Sequence, residues 1–510
     1  MSKTEHTEER VGGSGFALDA VVLICGAVVM IYEITGSRVL APFIGTSTYI
    51  WTSLIGVILG ALSLGYWIGG RMADKMPKKS VLAAAILAAA GLIALTTLVK
   101  DPILTGVAAL PVGLELRAVL AAVILFAPAS VALGFVTPYA VKLRMESLGA
   151  AGRTVGRLYA LSTIGSIGGT FAAGFLLLPF LGTNRTLYMM TAGLLLLPFL
   201  LIRLRVDRKI TSVLIILLFA IAANELTSYA MYHSIGFEDI DTEYSRVRVF
   251  RSTDPTTQRP IEAMTFDPHS TQSAMFLDDD DLVFEYTKFY HLIRTLKPAF
   301  QRSLMIGGAG YSFPKSYLTT YRNASLDVVE IDPVLTEIAR RRFRLPENDR
   351  LRIFHEDGRL FLNRAQTGAY DVVMMDAFGS LFSVPYHLTT IEAVSQIHRS
   401  LTDDGVVVFN LGSAIRGDAS LFLQAEFATY ESVFPFVYLF KVRPERNDDE
   451  LQNLIVVGCK RECLPVASGD PLERSLLERL YTDELTLTMP ILTDDLAPVE
   501  RYLSIAQATR

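Results

Sequence analysis

Residues 303–332 read SLMIGGAGYSFPKSYLTTYRNASLDVVEID, and this stretch decides the fold of the second half of the chain. Ser303–Ile306 is an apolar run of strand length that leads straight into Gly307-Gly308-Ala309-Gly310, with a helix after Pro314. Leu326–Ile331 is a second such run, closing on Glu330, and Asp332–Arg342 has helical spacing. Strand, glycine turn, helix, strand and helix predict a parallel βαβ unit. Downstream, Leu351–His355, Val372–Met375, Val406–Asn410 and Leu454–Gly458 continue the alternation, so a doubly wound, Rossmann-like α/β domain is expected. Upstream, Tyr244–Arg251 (YSRVRVFR) alternates as a strand, 260–277 reads as a hairpin region, and Phe284–Leu296 has helical spacing.

Open parallel sheets bind ligands at the C-terminal ends of their strands, and the polar residues of this half fall there. A turn of Gly307, Gly308 and Gly310 lets the backbone approach a ligand closely. Glu330 can accept hydrogen bonds from both hydroxyls of a ribose, and Asp357, followed by Gly358, from an adenine amino group. Asp376 closes the fourth strand and faces the reaction centre. The turn lacks the G-x-G-x-x-G spacing of dinucleotide sites. Tyr311-Ser312-Phe313-Pro314 follows instead, and that bulky sequence suits a nucleoside better than a pyrophosphate seated on helix amides.

The first half belongs to another solvent. Of 510 residues 51% are hydrophobic and only 19% charged, against roughly 25% charged in soluble domains. The excess lies before about residue 225. Apolar segments near 16–40, 48–70, 80–99, 118–140, 158–181 and 186–202 are long enough to cross a bilayer. A seventh, near 211–230, is strongly apolar only from Thr211 to Ala223. The expected division is a polar cytoplasmic N-terminus (1–15), a transmembrane domain of about seven spans (16–230), a linker and β-rich part (231–300) and the Rossmann-like domain (301–510). No removable signal peptide is expected. Gly56/Gly60, Gly65/Gly69 and Gly165/Gly169 are pairs at the spacing that lets helix backbones approach.

Twelve Lys and Arg fall in the second, fourth and sixth loops against three in the first, third and fifth, which predicts a cytoplasmic N-terminus. Seven crossings would place the C-terminal half outside the cytoplasm and six would keep it inside. Hydropathy favours seven, whereas the chemistry of the C-terminal half favours six. Glu33 and Arg38, five apart near the end of the first segment, read as interface-reaching side chains before they read as an ion pathway. A net charge of −5 gives no basic field for nucleic acid. The seven His residues form no metal-ligand pair, so no metal is expected, and Cys459 and Cys463 default to reduced thiols unless the domain lies outside the cytoplasm.

Taken in order, these motifs resemble the spermidine synthase family of aminopropyltransferases, and the architecture resembles its bacterial branch with a multi-span region in front. Tyr244–Val249 is similar to the family's opening strand, Leu277-Asp278 to the start of its L-D-G, and Tyr290-His291 to the first two residues of its Y-H-E. Ile306–Gly310 is similar to I-G-G-G-D-G, DVVEID at 327–332 to the strand closing on the ribose-binding Glu, Glu356-Asp357-Gly358 to G-D-G, and YDVVMMD at 370–376 to the strand carrying the catalytic Asp. The sequence departs where Gly310 replaces an Asp, Gly379 the second Asp of D-S-S-D-P, and Leu292 the Glu of Y-H-E. Three carboxylates that could grip a diamine are thereby missing.

The resemblance implies transfer of a 3-aminopropyl group from decarboxylated S-adenosylmethionine to a small amine or polyamine, with methylthioadenosine released and no tightly bound cofactor. Asp376 would be catalytic, and Tyr290, His291, Tyr386 and His387 would line the acceptor pocket. It implies a multi-pass protein in the bacterial plasma membrane, in contact with the lipid bilayer, and a homodimer. Two alternatives stand beside it. One is methyl transfer from S-adenosylmethionine on the same pocket; the other is a polyamine or nucleoside transporter or sensor whose C-terminal domain binds without catalysis.

Overall fold

The computed structural model describes residues 12–145, 151–202, 219, 221–227, 229–230, 234, 236–267, 270–377, 384–464 and 468–508. Contacts divide the chain into two compact units, Met1–Met231 and Tyr232–Arg510.

The first unit is helical. Gly12–Ile44, Thr48–Lys75 and Lys79–Ala108 are each long and apolar enough to cross a membrane. So is the helical stretch Ala151–Leu200, and the pair Leu114–Leu125 with Ala127–Arg144 makes a fifth if its 51° bend belongs to one span. The expected count of about seven is therefore met by four to five helices among the described residues. The difference has a local cause. The segments expected at 158–181 and 186–202 run on as one 50-residue stretch, roughly 75 Å at 1.5 Å per residue and long enough for two crossings. Within it, Gly182 has φ 75°, a left-handed conformation that ends one helix and starts another. Half of the seventh expected segment, including most of its strongly apolar part, lies outside the described residues.

Glycine decides how these helices pack. A Cβ on Gly165 would lie 1.9 Å from the Leu23 carbonyl oxygen, and one on Gly169 2.3 Å from that of Ala27, so these two helices meet backbone to backbone. Gly65 and Gly69 are pressed in the same way against Val131 and Phe135. Gly56 and Gly60 have nothing within 4 Å. Asp19 is held by Arg144 and Arg157, and Glu33 is buried in the first helix.

The second unit opens with an antiparallel sheet of β1 (Glu238–Asp241), β2 (Arg246–Thr253), β3 (Pro260–Thr265) and β4 (Ser273–Phe276). Its main sheet has seven strands: β5 (Arg302–Ile306), β6 (Ser325–Val329), β7 (Leu351–Phe354), β8 (Tyr370–Met375), β9 (Leu401–Ser413), β10 (Phe436–Lys441) and β11 (Gln452–Cys459). They run in the order β10-β11-β9-β8-β5-β6-β7. From β9 to β7 the pairs are parallel; β11 and β10 join antiparallel. Side chains alternate between two cores. Met305, Met374 and Val408 enter one, while Leu304, Ile306, Val373, Met375, Val407 and Phe409 enter the other. Chain order reverses between β5 and β8, and that reversal opens the crevice where such sheets take ligands. Strand β1 was not legible in the sequence, since it shows no clean apolar alternation; β10 was overlooked although five of its six positions are apolar. Cys459, at the end of β11, is joined to Cys463 in a disulfide, which corrects the expectation of two reduced thiols.

Candidate active site

The loops that follow β5, β6, β7 and β8 enclose a cavity of about 310 Å³. Gly307, Gly308, Glu330, Asp357, Gly358, Asp376 and His387 line it. Gly307 has φ 99°, and a Cβ there would sit 2.3 Å from the carbonyl oxygen of Asp376. No other residue lets β5 and β8 end so close together. Gly308 is required for a different reason. Tyr311 is fully buried, donates or accepts at Thr336 Oγ1 (2.7 Å), and fills the space a Gly308 side chain would need. Gly310, expected at the ligand, instead backs onto β4. A Cβ there would meet Ser273 Oγ at 2.3 Å, so the place of the family's Asp is already filled.

Glu330 follows β6 and is drawn into this loop. Its Oε2 accepts from the backbone N–H of Gly308 and Ala309, both at 2.9 Å, and its Oε1 accepts from Asp332 N at 3.0 Å. Burial pushes its carboxyl upward, and the three N–H donors oppose that. Oε1 keeps a lone pair facing the cavity, which can accept a hydroxyl proton. Asp357 caps the helix Gly358–Arg364, accepting at Oδ1 from Arg359 N (2.9 Å) and Leu360 N (3.0 Å). Its Oδ2 is 3.1 Å from Nε2 of His387, so His387 belongs to the Asp357 end of the cavity. Tyr386 is half exposed, edge-on to His387, and does not line the cavity.

Asp376 marks the other end. Asn410 Nδ2 donates to its Oδ1 at 3.0 Å, and the hydroxyls of Tyr286 and Tyr290 stand beside it and favour its ionised form, Tyr290 Oη also reaching the Met375 carbonyl at 3.4 Å. Asn453 donates in turn to Asn410 Oδ1 at 3.0 Å, so the clasp is tied back to β11. A carboxylate offers about four lone-pair sites; with these three neighbours one is left toward the cavity. Partial burial raises the carboxyl to about 7, with the neighbouring donors holding it lower than desolvation alone would. Such a group is poised to take up or give a proton near neutrality.

His291 is the clear correction. Both ring nitrogens are used, by Tyr321 Oη at 2.8 Å and Ser316 Oγ at 3.0 Å, and burial lowers its pKa to about 4. One helical residue turns the direction by about 100°, so Tyr290 points at Asp376 and His291 away from it. Tyr286, Asn410 and Gln272 were missed by sequence reasoning. A signal existed for two. Tyr286 lies four residues before Tyr290 on the same helical face, and Asn410 sits at a strand's C-terminal end as Asp376 does. Gly379 lies outside the described residues.

No known family model matches the chain. Curated relatives do. A polyamine aminopropyltransferase from Vibrio vulnificus is 29% identical over 245 residues, covering 47% of this chain and 79% of that protein. An N-terminal histidine N-methyltransferase from Emericella nidulans is 35% identical over 157 residues, 29% of this chain and 27% of that protein. Among solved structures, a probable spermidine synthase from Corynebacterium glutamicum has a TM-score of 0.41 and 23% identity, covering 53% of this chain and 94% of that one.

Proposed function

We propose that this chain, a transferase that belongs to the spermidine synthase family, moves a 3-aminopropyl group from decarboxylated S-adenosylmethionine to an amine. One observation carries the choice of donor. Among the described residues, the cavity is lined by five acids, Glu330, Asp332, Glu356, Asp357 and Asp376, and by no Lys or Arg. An intact methionine carboxylate would enter that lining unpaired and repelled, whereas the decarboxylated donor brings only a sulfonium and an ammonium. Glu330 accepts from the ribose, Asp357 from the adenine, and the sulfonium faces Asp376.

The step needs alignment and a proton acceptor. A nitrogen lone pair attacks the carbon beside the sulfonium, the N–C bond forms, the C–S bond breaks, and the electron pair leaves on methylthioadenosine. A free alkylamine is protonated below roughly pH 10, close to the lysine value. The open lone pair of Asp376 receives the proton the nitrogen sheds. We place this chemistry in a membrane-bound protein, on the strength of its four to five membrane-length helices.

Methyl transfer from intact S-adenosylmethionine is the second reading, favoured by the N-methyltransferase likeness and by the missing diamine carboxylates. Calorimetry on the detergent-solubilised chain separates the two. The expected result is tighter binding of the decarboxylated donor and methylthioadenosine than of S-adenosylmethionine, weakened by about 10–100-fold in Glu330→Gln. Preference for S-adenosylmethionine would transfer the assignment to methyl transfer.

A further inference from the structure

We infer that the acceptor is a short monoamine with an uncharged tail, not a diamine; this rests on the aminopropyl-transfer reading above. A side cavity of about 30 Å³ opens from Asp376 beneath β4 and the Phe284–Thr287 turn. By the same measure one water needs roughly 10–15 Å³, so the space takes two or three heavy atoms beside the reacting nitrogen. Asp376 is its sole carboxylate.

Its other polar side chains are already committed to the protein. Gln272 accepts from Phe266 N at 2.7 Å and donates to Asp267 and Ser270, both at 2.7 Å. Thr287 Oγ1 donates to the Phe284 carbonyl at 2.6 Å. Ser312 Oγ donates to the Ala274 carbonyl at 2.8 Å and shares a 3.4 Å contact with Ser273 Oγ. Val283, Phe284 and Phe313 supply much of the remaining wall. A second ammonium would meet only uncharged hydroxyl and amide oxygens in this wall, with no counter-charge among the described residues, and burying an unpaired charge is heavily penalised.

The acidic run Asp278–Asp281, the obvious remaining grip for a diamine, is also occupied. Arg259 pairs with Asp278 at 2.6 Å, with Asp279, and with Asp281 at 3.8 Å. Asp280 is 3.9 Å from both Lys315 and Arg344. Four carboxylates facing three cations leave little net field for a second ammonium. Nor can Gly310 regain the family's carboxylate by substitution, since Ser273 and Phe343 fill its side-chain space. Among the described residues that line the side cavity, Asp376 is thus the one anionic anchor, suited to one nitrogen.

The test uses the full chain in detergent with decarboxylated S-adenosylmethionine, and reads methylthioadenosine release. n-Propylamine is compared with 1,3-diaminopropane, and ethylamine with 1,2-diaminoethane, so that each pair differs in one terminal ammonium. The expected result is a kcat/KM at least about tenfold higher for the monoamine in each pair. Parity, or preference for either diamine, overturns the inference. So does release with none of the four amines while calorimetry still detects the donor. If the donor itself does not bind, it is the aminopropyl-transfer reading that falls. Ser312→Asp, which places a carboxylate in the side cavity, is expected to shift the ratio toward the diamine by about tenfold. A ratio left unmoved in that variant, with donor binding retained, would show that the missing carboxylate does not set the choice.

Discussion

Asp376 couples the chemistry of the site to the stability of the fold. Its carboxyl lies near 7 when folded against 3.8 as a free side chain, so the folded chain holds an extra proton between those values. Stability from this group is fully present below 3.8 and lost as the pH rises through 7. Three units correspond to about 4 kcal/mol, an upper bound on the penalty above neutrality. Asp376→Asn is therefore expected to raise the unfolding free energy at pH 8 by about 2–4 kcal/mol while lowering kcat by about 10²–10⁴-fold. Denaturant unfolding and turnover on the same preparation check both, and a variant that is inactive and destabilised would count against this account. Asn410→Ala removes one donor from the ionised carboxylate, so the rising limb of the pH–rate profile should move upward by about one unit. An unshifted limb would mean that the profile reports another group. Asp376 was readable from its position after a predicted strand. Tyr290 came with the family resemblance; its convergence on Asp376 with Tyr286 and Asn410 did not, because they come from a helix at 286–290 and a strand at 410, distant in sequence and adjacent only in the fold.

Among the helices, spacing alone does not say which glycines matter. Gly56/Gly60 and Gly165/Gly169 are the same motif on paper, yet the first pair faces open space and the second faces the backbone of Leu23 and Ala27. Gly165→Leu should destabilise the helical unit by about 1–3 kcal/mol or prevent its assembly, whereas Gly60→Leu should cost less than about 0.5 kcal/mol. Thermal unfolding of the two variants in detergent distinguishes them, and equal losses would refute the contact assignment. The strands of the second unit were legible wherever both faces of the sheet are buried, as in MIGG at 305–308 and VVMMD at 372–376, because such strands are apolar throughout. β10, half buried at the sheet edge, reads FVYLFK and is apolar at five of its six positions, so it carried the same signature and was overlooked.

At the scale of the whole molecule, the proposed membrane setting raises the side on which the second unit would lie. A disulfide such as Cys459–Cys463 persists where the compartment is oxidising. With the cytoplasmic N-terminus expected from the Lys and Arg distribution, an oxidised pair would call for an odd number of crossings, against the even number that the chemistry favours. A reporter that is active only outside the cytoplasm, fused behind Arg510, is expected to be active, and Cys459 and Cys463 should resist alkylation until reduced. A silent reporter with freely alkylated thiols would put the unit inside. Sequence by itself determined the two solvents of the chain, the alternating α/β pattern and the acids at strand ends, because hydropathy and periodicity are local properties of consecutive residues. Only the tertiary structure decided that Gly310 is packed away, that His291 turns from the site, that the acidic run is partly neutralised by Arg259, Lys315 and Arg344, and that a tyrosine pair and an asparagine surround Asp376. Those are contacts between residues far apart in the chain, and their energies exist only once the backbone has brought them together.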